Sequence, residues 1–312
     1  MSADSSNGVT GQDLSSLRGL IFSIAYRMLG SVADAEDIVQ ESFLRFHRAQ
    51  AAGTAIDSTK SYLAAIATRL SIDQLRSARV KREDYVGSWL PEPVVDEPER
   101  AAPDHVELTE SLSMAILLIL ETLSPVDRAV FLLREVFDYG YDDISGIVGR
   151  TEDNCRQIFA RAKQRIEAGK PRFESSREKR DQIASRFLAA CEQGDLDGLV
   201  DLLAADAAFY GDGGGKVPIA VRRPVQGRDR VARLLYNVMF KKRPADQRLE
   251  PVVVNGQPGA RMVDAEGRLI FVFALHVVDD VVLSVRSVIN PDKLRHLGPL
   301  ATPSRHARAR ES

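Results

Sequence analysis

Six basic residues lie between Arg150 and Lys170 of this 312-residue chain: Arg150, Arg156, Arg161, Lys163, Arg165 and Lys170, against Glu152, Asp153 and Glu167. A second group of six, Lys60, Arg69, Arg76, Arg79, Lys81 and Arg82, has only Asp73 among it. Between the two groups, Glu92 to Glu110 holds seven acids and only Arg100. Two cationic clusters flanking an acidic spacer fit two separate contacts with a polyanion, and the chemistry they offer is recognition rather than bond making. On a helix from Glu152 to Ile166, positions 155, 158, 159, 162 and 166 form one buried stripe, and Asp153, Arg156, Gln157 and Ala160 lie opposite. Arg156 can fork onto guanine and Gln157 can read adenine. Arg161, Lys163 and Arg165 suit phosphates, which position without specifying.

Other residue types point to little chemistry. Asp206, Tyr210, Asp212 and His276 are candidates for a pocket, with His276 on an alternating strand, yet no paired acid–base spacing appears. "GDGGGKV" invites a phosphate-loop reading and fails it. No Gly-x-x-x-x-Gly-Lys-Ser/Thr run is present, and Val217 stands where the hydroxyl is needed. Cys155 and Cys191 fall on predicted helices among apolar neighbours, as buried thiols, with no disulfide framework and no metal spacing. No metal and no cofactor is expected. A net charge of −2 argues against a uniformly basic nucleic-acid binder. The N-terminus lacks the basic and apolar regions of a secretory signal, and no apolar run approaches the roughly 20 residues of a membrane helix, so a cytoplasmic location is expected.

The elements that must position these residues follow from periodicity. Leu17, Leu20, Ile21, Ile24 and Met28 mark a first helix that Gly30 stops. Ser31 or Asp34 caps "DAEDIVQESFLRFHR", and a third helix runs from near Ser58 to a basic end. Residues 84–106 carry Pro91, Pro93, Pro98 and Pro103, which forbid regular structure and predict a linker. Helices resume at Val106. Ser124 and Pro125 start one; Tyr141–Val148, a turn at Gly149–Arg150 and a helix capped by Thr151 predict a helix-turn-helix. After two more helices come strand-like runs, "AAFYG", "KVPIAVR", "RLEPVVVNG", "PGARMVDAEG", "RLIFVFALHVVDD" and "VVLSVRSVIN", interrupted by a helix over 227–242. The expected fold is multidomain: two all-α domains, the second with the helix-turn-helix, and a C-terminal α+β domain with a curved antiparallel sheet.

This order of modules resembles bacterial sigma factors of the extracytoplasmic-function group, over residues 14–168. "DAEDIVQESFLRFHR" is similar to the region with which the family grips RNA polymerase, which implies polymerase contacts at Asp34, Glu36, Asp37, Gln40 and Glu41. "SYLAAIATRLSIDQLRSAR" is similar to the segment that captures the melted −10 element, implying roles for Arg69, Asp73, Arg76, Arg79 and Arg82. Arg69 departs from the group, which often has asparagine there. The helix-turn-helix resembles the −35 reader, implying Thr151, Asp153, Arg156, Gln157, Arg161 and Lys163. "WLPEP" (Trp89–Pro93, with the chain's only tryptophan), "DGGGK" (Asp212–Lys216) and "NPDKL" (Asn290–Leu294) resemble signatures of the subgroup that bears a C-terminal SnoaL-like domain.

The resemblance implies an alternative sigma factor with RNA polymerase core and promoter DNA as partners, no enzymatic activity, and control in cis by the C-terminal domain in place of an anti-sigma factor. That control is expected at Trp89, Leu90, Pro91, Asp212, Gly213, Gly214, Gly215, Lys216, Asn290, Pro291, Asp292, Lys293 and Leu294. The domain bounds expected are a lead over 1–13, a first sigma domain over 14–83, the linker over 84–106, the helix-turn-helix domain over 107–170, the SnoaL-like domain over 178–296 and a flexible tail over 297–312. The rival readings are a SnoaL-like isomerase or cyclase, and a ligand-sensing one-component repressor.

Overall fold

The computed structural model describes residues 11–83, 85–96, 113–169, 175–218 and 220–301, and the side chains of 11–14, 78–83, 96 and 169 are outside that description. The expected lead lies largely outside it, as do most of the tail and residues 97–112 of the acidic spacer. The chain divides into two compact units. Of the described residues, one holds 11–78 and 123–165; the other holds those of 79–96, 113–122 and 166–301.

The first unit is helical. α1 (Gly11–Leu29) ends where Gly30 turns left-handed at φ 69°, and the Ser31 hydroxyl accepts from Asp34 N to start α2 (Val32–Ala51). α3 is Thr59–Glu83. Ile21, Ile24, Met28, Val39, Phe46, Leu63 and Ala67 are all buried, each at the three-or-four spacing of its own helix. α5 (Pro125–Glu135) carries Ser124 as cap and proline in its first turn. α6 (Tyr141–Val148) ends on left-handed Gly149, and the Thr151 hydroxyl accepts from Asn154 N at the head of α7 (Glu152–Gly169). Ile144 and Ile147 of α6 and Cys155, Ile158 and Ala162 of α7 are buried, as a helix-turn-helix requires.

The second unit is built on a seven-stranded sheet in the order β1-β4-β5-β6-β7-β2-β3. Its strands are β1 (Val95–Asp96), β2 (Leu203–Asp212), β3 (Val225–Gln226), β4 (Arg248–Val254), β5 (Gln257–Val263), β6 (Leu269–Val278) and β7 (Val281–Val288). All neighbours run antiparallel except β2 and β7, which pair in parallel, so the sheet is mixed. Asp279 and Asp280, at φ 49° and 62°, make the two-residue turn between β6 and β7. One face is covered by α8 (Arg177–Gln193), α9 (Leu196–Leu202) and α10 (Arg228–Leu235), whose last turn widens into a π segment, Tyr236–Lys241. Phe187, Leu199, Val231, Leu235, Phe273, Leu275 and Val285 fill that core. The opposite face carries Val272, Ala274 and Val288, on which Leu90, Leu294 and Met114 of α4 (Met114–Leu120) are packed.

Two expectations change. "KVPIAVR" is not a strand: the described residues of 213–224 are turns, bends and irregular chain, with Gly214 and Gly215 left-handed. The proline-rich linker does contain strand, because Val95 and Asp96 pair with Val254 and Val253 at the open edge of β4. Prolines exclude a central strand but tolerate a short edge one.

Candidate nucleic-acid interface and linker anchor

The head of α7 is exposed. Thr151, Asp153, Arg156, Gln157 and Arg161 all lie at the surface. Arg156 is held back by its own helix: its guanidinium bonds Glu152 one turn earlier at 3.0 Å and lies 4.7 Å from the centre of the Tyr141 ring. Lys163 is paired with Glu135 at 3.2 Å. Both pairs are solvent-accessible and cost on the order of 0.5 kcal/mol to break, so neither bars these cations from another acceptor.

In the same unit, the side chains expected along α3 divide. Asp73 and Arg76 form a surface pair at 3.3 Å. The side chains of Arg79 and Arg82 lie outside the described residues. Arg69 does not point to open solvent alone: Nε donates to the Ile147 carbonyl at 3.0 Å and a terminal nitrogen to the Gly146 carbonyl at 2.7 Å, both at the end of α6. Arg128 of α5 is buried and donates to the Met28 carbonyl at 2.5 Å, and its burial lowers its pKa to about 9. Periodicity identified neither of these two guanidinium contacts. On α2, Asp34 and Glu36 are half-buried, Glu36 pairs with Arg18, and Glu41 pairs with Arg45 at 2.7 Å. Asp37 and Gln40 are exposed beside Leu44, a large apolar side chain left 50% exposed.

In the second unit the three odd motifs meet at one carboxylate. Asp212, at the end of β2, is fully buried. Its Oδ2 accepts from Leu90 N at 2.8 Å and from Lys293 Nζ at 2.7 Å; its Oδ1 accepts from the Tyr85 hydroxyl and from Gly214 N at 3.2 Å. Lys293 also donates to the Leu90 carbonyl, with the Trp89 ring centre 4.4 Å away and the Tyr85 ring 4.9 Å away. Asn290 donates to the Tyr85 hydroxyl at 2.9 Å, and Lys216 pairs with Asp292. Burial, then the hydrogen bond to Asp212 and its charge, push the Tyr85 phenol well above its usual range. A Cβ at Gly214 would meet the Asn290 amide at 2.3 Å, so glycine is required there for space as well as for its positive φ. Further along, Val94 pairs with Asn255 through both backbone groups and side chain, and His296 bonds the Pro93 carbonyl at 2.8 Å. The linker from Tyr85 to Asp96 is thus fastened to its sheet at both ends. Tyr85, Asn255 and His296 were not singled out in the sequence because each acts through one long-range hydrogen bond that no local spacing signals.

Residues 14–80 match the family model described as Sigma-70 region 2, and residues 113–166 match Sigma-70, region 4. The ECF RNA polymerase sigma factor SigJ of Mycobacterium tuberculosis is 35% identical over 293 residues, spanning 90% of this chain and 92% of that one. The chain belongs to the extracytoplasmic-function RNA polymerase sigma factors. SigG of the same species is 30% identical over 281 residues, covering 81% of this chain and 73% of its own. The crystal structure of M. tuberculosis SigJ superimposes with a TM-score of 0.75 at 31% identity, over 94% of this chain and all of that one.

This alternative sigma factor therefore serves promoter-specific transcription initiation and is not an enzyme. Its C-terminal part is the α+β domain that was expected, three helices laid on one face of a mixed sheet. A cavity of about 300 Å³ there is lined by Val95, Glu250, Arg261, Val263, Leu269 and Leu297 among others, not by His276, Tyr210 or Asp206. His276 is an uncharged sheet residue: burial, then the neighbouring Arg286, lower its pKa to about 4. Cys155 and Cys191 are buried and unpaired, and burial raises Cys191 to about 12. Among the described residues no helix is long and apolar enough to cross a membrane, and no cluster of three metal-ligating side chains occurs.

Proposed function

We propose that this sigma factor, bound to RNA polymerase core in the cytoplasm, reads a −35 element with the head of α7 and a −10 element with the basic end of α3. Arg156 and Gln157 address base edges, with Thr151 and Asp153 beside them; Arg161 and Lys163 address phosphates. Arg69, Asp73, Arg76, Arg79 and Arg82 serve the melted strand. Polymerase docks on α2 through Asp34, Glu36, Asp37, Gln40 and Glu41, with exposed Leu44 as the apolar anchor at the centre of that charged face. The observation that carries the reading is the exposed, doubly capped helix-turn-helix with its polar side outward.

The C-terminal domain acts in cis in place of a separate anti-sigma factor. The Asp212 carboxylate gathers "WLPEP", "DGGGK" and "NPDKL", so the linker joining the two sigma domains has a fixed resting place on the regulatory sheet. Run-off transcription with purified core polymerase tests the whole. The full chain should support initiation from a cognate promoter. Removal of 290–312, which takes Lys293 from the anchor, should change the yield from that promoter. No transcript from any promoter would refute the sigma reading; an unchanged yield after truncation would refute only the cis control.

A further inference from the structure

Residues Arg222 to Arg248 hold nine basic side chains and only two acids, Asp229 and Asp246, in a chain whose net charge is −2. Neither sigma region accounts for this cluster, and it lies outside the Asp212 anchor. Its centre is α10 with the π segment that follows. Val231, Ala232, Leu235 and Met239 face the sheet and are buried. Arg230, Arg233, Lys241 and Lys242 are all exposed on the other side. In a regular α-helix Lys241 would stand about 80° round from Arg233, eight positions earlier. The wider turn of the π segment over Tyr236–Lys241 takes up that surplus and keeps both in one stripe, about 20 Å long at roughly 1.5 Å per residue. Arg222 and Arg223, also exposed, extend the positive surface in the loop before β3.

Among the described residues none of these six cations has a carboxylate within ion-pair distance; Arg186 of the same unit also lacks one, whereas the exposed Lys179, Lys216 and Arg295 are each paired. Of the four exposed large apolar side chains among the described residues, two, Val238 (45%) and Phe240 (42%), belong to the π segment. Uncompensated like charge held in line on a rigid helix is costly unless a polyanion meets it.

We propose that the outer face of α10 and its π segment is a third DNA contact of this sigma factor, binding the phosphate backbone of the promoter duplex without reading sequence. Duplex DNA presents one charge per ~1.7 Å of axis, so a stripe of this length spans about six base pairs. The four cations neutralise phosphates and release counterions, while Val238 and Phe240 lie against the sugars.

The test is the salt dependence of promoter binding. Holoenzyme formed from core polymerase and the full chain would be titrated with a fluorescent promoter duplex between 50 and 300 mM KCl. A variant with Arg230→Gln, Arg233→Gln, Lys241→Gln and Lys242→Gln should lower the slope of log K against log [salt] by up to ~3.6, at ~0.9 per lost contact. The same loss should appear on a duplex with its −10 and −35 elements scrambled. The single variant Arg233→Gln should lower the slope by ~0.9 and stands as the test if the quadruple variant misfolds. An unchanged slope would overturn the proposal. So would weaker association with core polymerase at an unchanged slope, which would assign the face to an acidic protein surface, or a loss confined to the cognate sequence.

Discussion

Replacing Asp212 with asparagine keeps its shape and removes its charge. Lys293 then remains 7% exposed, with the Leu90 carbonyl and two aromatic faces at 4.4 and 4.9 Å still beside it. Each ring is worth ~0.5–2 kcal/mol to an ammonium group. That does not replace a carboxylate at 2.7 Å, and breaking one side of a buried pair costs ~3–5 kcal/mol. The linker must release, since Leu90 N also loses its charged acceptor. A loss of about 3 kcal/mol lowers the docked-to-free ratio roughly 150-fold. Trp89 is the only tryptophan in the chain, so its fluorescence reports the anchor alone. In a urea titration of the full chain, the emission of Asp212→Asn should shift to the red at a lower concentration than the helical circular dichroism falls. Lys293→Met combined with Asp212→Asn should recover part of the loss, because no charge is then left buried. If Asp212→Asn cost under ~1 kcal/mol and left Trp89 emission unmoved, the carboxylate would not be what holds the linker.

Arg156→Ala should weaken binding to the cognate −35 element by ~1–3 kcal/mol with relaxed specificity at one base pair, measured with holoenzyme on a panel of single-substituted promoters. Equal weakening on every promoter would assign Arg156 to a phosphate. His276, with its folded pKa of about 4 below the unfolded 6.5, stabilises the domain fully above pH 6.5 and loses that contribution as pH falls toward 4, on the order of 3 kcal/mol in all. His276→Gln should flatten this part of the thermal-stability profile, and an unaltered profile would refute it. Leu44→Asp should lower affinity for core polymerase at least tenfold in a pull-down titration without lowering Tm, since Leu44 is half exposed and supports no core.

The helical modules were legible because their signals are local. Ser124–Pro125, Gly149 and Thr151 occupy the caps their types prefer, and Ile144, Ile147, Cys155 and Ile158 fall inside at the expected spacing. Alternation likewise found β6, whose odd positions 271–277 line the helix-covered core while Val272 and Ala274 line the other face. "KVPIAVR" misled because its β-branched residues fit a strand, yet Val217 is buried by a glycine turn rather than by a ladder. The parallel pairing of β2 with β7 joins strands about 80 residues apart and has no local marker. The type of Arg69 suggests nucleic acid; that it bonds two carbonyls at the end of α6 depends on packing between helices far apart in sequence. The three motifs stand out together in the sequence, but Tyr85, whose hydroxyl bridges Asp212 to Asn290, lies outside all three and carries no local signal.

The anchor also imposes an order on synthesis. Leu90 leaves the ribosome 203 residues before Lys293, the lysine that clasps its carbonyl. At roughly 5–20 residues per second, the linker stays unfastened for about 10–40 s after its own translation. Both sigma modules are complete within that interval, and a chain that terminates early never acquires the clasp. The linker is thus fastened only after the sheet that presents Asp212 and the turn that presents Lys293 have both been translated.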